Sequence, residues 1–131
     1  RLCSNVPAQS IVQTALGGYQ SVETYVRPGG RVYDQRDFVY RALNEIDGVT
    51  AVKPKAAFYI FPRLDVKKFN IHDDEQFALD LLHQKKILVT RGGGFNWDQP
   101  DHFRVVYLPR IDVLAECMDD LADFLSTYHQ E

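Results

Sequence analysis

Cysteine is scarce in this sequence, with two in 131 residues, and so are methionine and tryptophan, with one each. Cys3 and Cys117 lie far apart and make neither a disulfide framework nor a zinc pattern, so both are expected to be reduced thiols in a cytoplasmic setting. Glycine and proline are also few, 8 and 6, against 8 Phe and 7 Tyr, which excludes a collagen-like or disordered chain. An excess of positive charge is missing too: 15 Lys and Arg face 18 Asp and Glu. Nucleic acid and anionic membrane surfaces are therefore not expected partners. No apolar run approaches the roughly 20 residues of a membrane span, since Ala56–Phe61 stops at Pro62. A basic region followed by an apolar one, as in a secretory signal, is absent. The first residue is Arg1 rather than Met, from which a longer parent protein is expected.

What is present is enough apolar residue, 45%, for a packed core. Ser4 and Asn5 ahead of Pro7 suit a helix start, and Ile11, Val12, Ala15 and Leu16 follow at helical spacing. After the turn Arg27–Gly30, the positions Val32, Gln35, Val39, Ala42, Leu43 and Ile46 predict a second helix, with Gly48 closing it. The period then shortens, and strands are expected from Val49 and over Ala57–Phe61, the latter central in its sheet. Asp65–His72 reads as a polar connection. Asp73 or Asp74 caps a third helix through Phe77, Leu81, Leu82 and Lys85. Strands are expected at Ile87–Thr90 and His102–Leu108, with a loop over Arg91–Pro100. A last helix carries the apolar stripe Leu114, Cys117, Met118, Leu121, Phe124, Leu125 and Tyr128. The order ααββαββα describes an α+β domain with helices on a mainly antiparallel sheet of three or four strands.

Several chemistries are excluded by spacing. Gly92-Gly93-Gly94 has no Gly-Lys-Ser/Thr after it and opens no predicted helix, so it is a turn rather than a phosphate loop. His72, His83, His102 and His129 are scattered with no metal-ligand spacing, and no metal is expected. Ser10, Ser21 and Ser126 lack a nucleophile elbow. Arg104 stands apart: it sits in a strand among apolar neighbours, on the face opposite Phe103 and Val105. A guanidinium there pairs with an internal carboxylate or lies on a sheet face open to water, or else it awaits the carboxylate of a ligand. Phe95, Asn96 and Trp97 precede it in the loop and could bring aromatic and amide groups to the same mouth, or simply pack that loop down.

Linked segments then carry a resemblance. Leu2-Cys3-Ser4-Asn5-Val6-Pro7-Ala8-Gln9, Thr14–Ser21, Gly30–Asp37, Val52-Lys53-Pro54-Lys55-Ala56-Ala57-Phe58-Tyr59 and Phe95-Asn96-Trp97 with Asp101-His102-Phe103-Arg104-Val105-Val106 closely resemble the C-terminal part of class I/II aminotransferases, most of all the bacterial alanine branch. The resemblance implies a pyridoxal-phosphate enzyme of the aspartate-aminotransferase fold, a homodimer acting on amino and 2-oxo acids. Residues 1–30 would join the large domain, and 31–131 would form the small C-terminal one. Arg104 matches the arginine that grips the substrate α-carboxylate, and Gly94, Phe95 and Asn96 match the loop at the substrate entrance.

The Schiff-base lysine of that chemistry lies upstream of the matched segment in the family. Lys53, Lys55, Lys67, Lys68, Lys85 and Lys86 fall at strand edges, turns or a helix end, where an amine stays solvated and protonated. The expectation is a parent enzyme exchanging an amino group between alanine, or a similar amino acid, and 2-oxoglutarate, and an isolated chain that is inactive and holds no cofactor. A non-catalytic α+β module binding an amino or keto acid for regulation is the alternative, and a purely structural interaction domain a third reading.

Overall fold

The computed structural model describes residues 2–131, and Arg1 lies outside them. Helix α1 (Val6–Gly17) begins as the sequence predicts: the Asn5 side chain accepts from the Ala8 amide at 2.8 Å, with Pro7 in the first turn. None of its residues is buried, and Leu2, Val6, Ile11, Val12 and Leu16 all face outward. A short α2 (Val22–Val26) leads into a sharp turn at Gly30, where a Cβ would lie 2.3 Å from the Thr24 carbonyl oxygen.

Helix α3 (Arg31–Glu45) buries Gln35, Val39 and Leu43, the face set by the 3.6 period. Its cap is Ile46, not Gly48; Gly48 stands two residues later at φ +89°, making the turn into the next strand. A side chain there would collide with the Phe69 ring, 2.7 Å from the Cβ position.

The strands form two small antiparallel sheets. β1 (Val49–Thr50) pairs with β3 (Arg63–Leu64), Val49 opposite Leu64. β2 (Tyr59–Ile60), β4 (Thr90–Arg91) and β5 (Phe103–Val106) form the second, in the order β2-β5-β4. A bridge between Arg63 and His102 links the two. The central strand is thus β5, and the run Ala57–Phe61 is an edge. Its alternation is real, but only Ile60 turns into the core, while Phe58 and Tyr59 remain partly exposed. β5 sends Phe103 and Val105 inward, followed by Tyr107, and leaves Arg104 on the other side.

The polar connection after Asp65 contains a helix, α4 (Val66–Phe69), capped by the Asp65 carboxylate and ended by left-handed Asn70. Asp73 caps α5 (Asp74–Lys85), accepting from the Glu75 amide at 2.8 Å and the Gln76 amide at 3.1 Å. Of the predicted third strand Ile87–Thr90 only Thr90 is paired, together with Arg91 from the predicted loop, and Gly92–Phe95 winds into a 3₁₀ turn. Helix α6 (Ile111–Thr127) buries Leu114, Met118, Leu121, Phe124 and Leu125 along the predicted stripe. The order becomes αααβββααββα, still an α+β layer, with Leu43, Phe77, Leu81, Phe103, Tyr107 and Leu121 at its centre. Among the described residues no helix is long and apolar enough to cross a membrane.

Candidate functional site

Strand β5 fixes the backbone of Arg104, because it is paired on both edges: Thr90 lies opposite Arg104 itself and Tyr59 opposite Val106. The side chain rises from the sheet face that the core does not cover. Its guanidinium carbon lies 4.5 Å from the centroid of the Tyr59 ring and 4.5 Å from that of Phe95. The two rings stabilise the cation through their negative faces, each by about 0.5–1 kcal/mol at a partly exposed site.

Rings do not accept hydrogen bonds as carboxylates do. Among the described residues Arg104 makes no ion pair, and its Nε is buried with no partner. Of the two acceptors allowed by the sequence, the internal carboxylate is therefore not there. A buried N–H without an acceptor costs about 1–3 kcal/mol, and a planar anion would remove that cost by meeting the fork in a bidentate pair.

Phe95 reaches the guanidinium because the glycine segment is held on three sides. The Gly92 amide donates to the His102 carbonyl at 2.8 Å, the Gly93 amide to the Asp74 carboxylate at 2.6 Å, and the Trp97 amide back to the Gly92 carbonyl at 3.3 Å. With the Gly93 amide engaged by a carboxylate, the loop is a structural turn and not an anion cradle. Asn96, at φ +58°, ends it and is exposed. Gly94 is exposed beside Thr90, with room for a Cβ. Of the predicted loop residues, then, Phe95 meets Arg104, while Gly94 and Asn96 shape the turn that carries it.

Trp97 turns instead toward Phe61 and His102. The indole lies edge-on to Phe61 with centroids 5.9 Å apart, and His102 stacks on Phe61 at 4.8 Å. Phe61 in turn meets Phe95 edge-on at 6.1 Å. Beneath this cluster sits Asp101, which is 4% exposed. Its carboxylate accepts from the Trp97 indole at 2.8 Å and from Arg63 Nε at 2.8 Å, and shares a 2.7 Å contact with His102 Nδ1. Burial alone would raise its pKa; His102, Trp97 and Arg63 together outweigh burial and hold it below the usual carboxylate value.

Sequence reasoning did not single out Tyr59 or Asp101. Tyr59 comes to Arg104 from a distant segment through strand register, and the only available signal was its outward phase relative to Ile60. Asp101 could have been noticed as an acid directly before a strand and four residues after Trp97.

The lysines are placed as expected of surface residues. Lys53 pairs with Asp37, Lys68 with Asp47, and Lys85 with Asp123 and Asp120, while Lys55, Lys67 and Lys86 are exposed. The Asp123 carboxylate raises the pKa of Lys85, against slight desolvation, so that amine is held protonated. No group of histidine, cysteine and acidic residues among the described residues could hold a metal ion.

A model of the family described as aminotransferase class I and II matches residues 1–121. The chain belongs to that family. It is 54% identical over 130 residues to the glutamate-pyruvate aminotransferase AlaA of Escherichia coli K12, covering 99% of this chain and 32% of that protein. It is 56% identical to an alanine aminotransferase of Mycobacterium bovis, again over 99% of this chain but 30% of the relative. Among solved structures, an aminotransferase from E. coli superposes with a TM-score of 0.91 at 53% identity, over 99% of this chain and 32% of that one. An alanine aminotransferase from Pyrococcus furiosus gives 0.80 at 38% identity, over 95% of this chain and 31% of that one. The chain thus spans about a third of the length of these relatives. Members of this family generally depend on pyridoxal phosphate. The residues of this chain do not fit that group, because every lysine is exposed to solvent or ion-paired and none lies enclosed in an apolar pocket.

Proposed function

We propose that Arg104 grips the carboxylate of an amino or 2-oxo acid, and that the protein containing this chain exchanges an amino group between alanine, or a similar small amino acid, and 2-oxoglutarate. One observation carries the reading: a guanidinium lying against two aromatic rings with a buried Nε that nothing among the described residues satisfies. The names of the relatives in E. coli and M. bovis support the choice of substrates.

In this reading Tyr59 and Phe95 work as plates. Each ring lies against the guanidinium carbon, and a carboxylate would meet the fork edge-on with both oxygens. Gly94 and Asn96 let the turn bring Phe95 to that edge. Residues 31–131 would be the small domain closing over the substrate, and 1–30 the connection to a larger domain that supplies the lysine, the pyridoxal phosphate site and the dimer contacts, in a cytoplasmic enzyme. Pyridoxal phosphate supplies the amino-group chemistry there, outside this chain.

The test is made in the full-length protein. Arg104→Lys raises the Michaelis constants for alanine and 2-oxoglutarate at least tenfold and leaves the cofactor absorbance unchanged, because a point-like ammonium cannot replace the fork. Unchanged Michaelis constants would overturn the assignment. The 131-residue chain alone, mixed with pyridoxal phosphate, yields no adduct that borohydride fixes at one lysine.

A further inference from the structure

Two residues before Tyr59 the backbone does something an alanine rarely does. Ala57 stands at φ +59°, in the left-handed region where a Cβ crowds the following carbonyl. Side-chain packing does not enforce it, since Ala57 is exposed and a cavity of about 230 Å³ lies alongside, lined by Arg36, Lys55, Ala57 and Tyr107 among others. The bend therefore has room to relax.

What opposes relaxation comes from the residue that follows β5. The Tyr107 hydroxyl donates to the Ala57 carbonyl at 3.0 Å, and the Tyr107 amide donates to the Phe58 carbonyl at 3.2 Å. Tyr107 is 1% exposed, so its ring is locked in the core and its hydroxyl is a fixed point. Immediately beyond the tether, Tyr59 pairs with Val106 and lays its ring over Arg104. Strand β5 and the residue that follows it thus carry the guanidinium and the anchor for one of the two rings that lie against it.

We propose that Tyr107 is a positioning residue: its hydroxyl holds Ala57 in the left-handed bend, and the bend sets the Tyr59 ring against Arg104. The proposal deepens the reading of Arg104 as a carboxylate grip and rests on it only for its consequence, the restriction of the guanidinium to edge-on partners. Strained backbone of this kind persists where surrounding contacts over-determine it, which here is one hydroxyl and one amide. An alanine in the bend makes the tether necessary, whereas a glycine would hold the same φ without it.

The experiment uses the ¹⁵N-labelled 131-residue chain and follows the Arg104 Nε–H resonance, assigned by its loss in Arg104→Met. Between two ring faces this resonance is displaced from the position of free arginine. Tyr107→Phe keeps the core ring and removes only the tether, and the resonance moves toward the free position. Adding Ala57→Gly to Tyr107→Phe brings it back by half or more, a rescue that a merely structural tyrosine would not show. The proposal is overturned if the resonance stays in place in Tyr107→Phe, or if it moves and the added glycine fails to restore it. Should Tyr107→Phe alone not fold, the double variant decides: a wild-type resonance supports the tether and a displaced one overturns it. Titration of the wild-type chain with 2-oxoglutarate reads the carboxylate grip separately. A resonance that 2-oxoglutarate leaves unmoved counts against the grip, while the Tyr107 result still stands or falls on its own.

Discussion

The ring of Phe95 centres 4.5 Å from the guanidinium carbon of Arg104, and among the described residues no carboxylate pairs with that guanidinium. A buried N–H on a cationic side chain normally has an acceptor. Arg104 is thus held in place by surfaces that do not meet the hydrogen-bonding needs of its Nε, as the proposed carboxylate grip requires. Arg104→Met should therefore leave stability unchanged or raise it by up to about 1 kcal/mol, the lost ring contacts being offset by the removed N–H penalty. Urea denaturation of the two chains checks this, and a loss of more than about 2 kcal/mol would make Arg104 a structural residue.

Asp101 shows the opposite case, a buried charge whose partners are all present. Asp101→Asn should cost about 2 kcal/mol at neutral pH, because Trp97, His102 and Arg63 lose a charged acceptor. The pH dependence has a definite sign. The folded carboxyl has a lowered pKa, so its contribution is complete above the unfolded value near about 4 and disappears as pH falls through the folded value. Acid unfolding followed by the emission of Trp97, the single tryptophan, should show a shallower slope below about pH 4 in Asp101→Asn than in the parent chain. Asp37 and Asp112, also lowered by hydrogen bonds from Lys53 and Arg110 respectively, keep the slope from vanishing. Equal slopes in the two chains would mean that the Asp101 contacts do not persist in solution.

Gly92 and Gly94 look equivalent in sequence and are not equivalent in space. A Cβ on Gly92 would lie 2.7 Å from the carbonyl oxygen of His102, the residue leading into the central strand, whereas the nearest neighbour at Gly94 is a methyl group 3.7 Å away. Gly92→Ala should push the turn off β5, carry Phe95 away from Arg104 and weaken carboxylate binding several-fold. Gly94→Ala should change neither binding nor the unfolding midpoint. Similar behaviour of the two alanine variants would show that the turn is not seated on β5 as described.

Four of the six helices were legible because each carries its own evidence: the stripe of α6, the buried face of α3, and the caps Asn5 and Asp73 are local patterns, whereas α2 and α4 are too short to show a period. Arg104 was legible for the same reason, as one cation phased against Phe103 and Val105. The strands were overread. Ile87–Val89 has strand composition, yet only Thr90 and Arg91 find a partner, since pairing depends on where β5 lies. The run Ala57–Phe61 was expected to be central because its apolar residues alternate onto both faces, but Tyr59 lies over the guanidinium and Phe61 joins a cluster with Trp97 and His102. No local pattern could pair Tyr59 with Arg104, because their meeting depends on sheet register.

Helix α1 gives a prediction about association. It buries none of its residues and exposes Leu2, Val6, Ile11, Val12 and Leu16, an apolar surface of the kind that soluble domains seldom leave uncovered. The chain should self-associate in light scattering, and removal of residues 1–19 should reduce that association. The same truncation should leave the unfolding midpoint of the remaining domain unchanged, because the core contains nothing from α1. A strictly monomeric chain, or a large drop in midpoint on truncation, would contradict the exposed placement.

The C-terminal end is held by a single glutamine. Gln130 is 2% exposed, and its side-chain oxygen accepts from the His72 amide at 2.7 Å and the Asp73 amide at 2.9 Å, while its nitrogen donates to the Asp73 carbonyl at 2.8 Å. Its backbone amide also donates to the Phe69 carbonyl at 2.9 Å. These bonds fasten the residues after α6 to the Asp73 cap that starts α5, and Tyr128 adds a 2.8 Å bond to Asp80. Gln130→Ala would leave the His72 and Asp73 amides without their acceptor in a part-buried place, while the Asp73 carbonyl keeps the Phe77 amide, at about 1–3 kcal/mol for each amide that water does not reach. A loss of at least about 2 kcal/mol is expected, measured by urea denaturation. Gln130→Glu separates hydrogen bonding from packing: a carboxylate can still accept from both amides but cannot donate to the Asp73 carbonyl, and it adds a negative charge beside Asp73. Its stability should fall between those of the parent chain and the alanine variant at low pH, where the protonated acid can donate, and approach the alanine variant at neutral pH. A glutamate variant as stable as the parent at neutral pH would show that the bond to the Asp73 carbonyl contributes nothing.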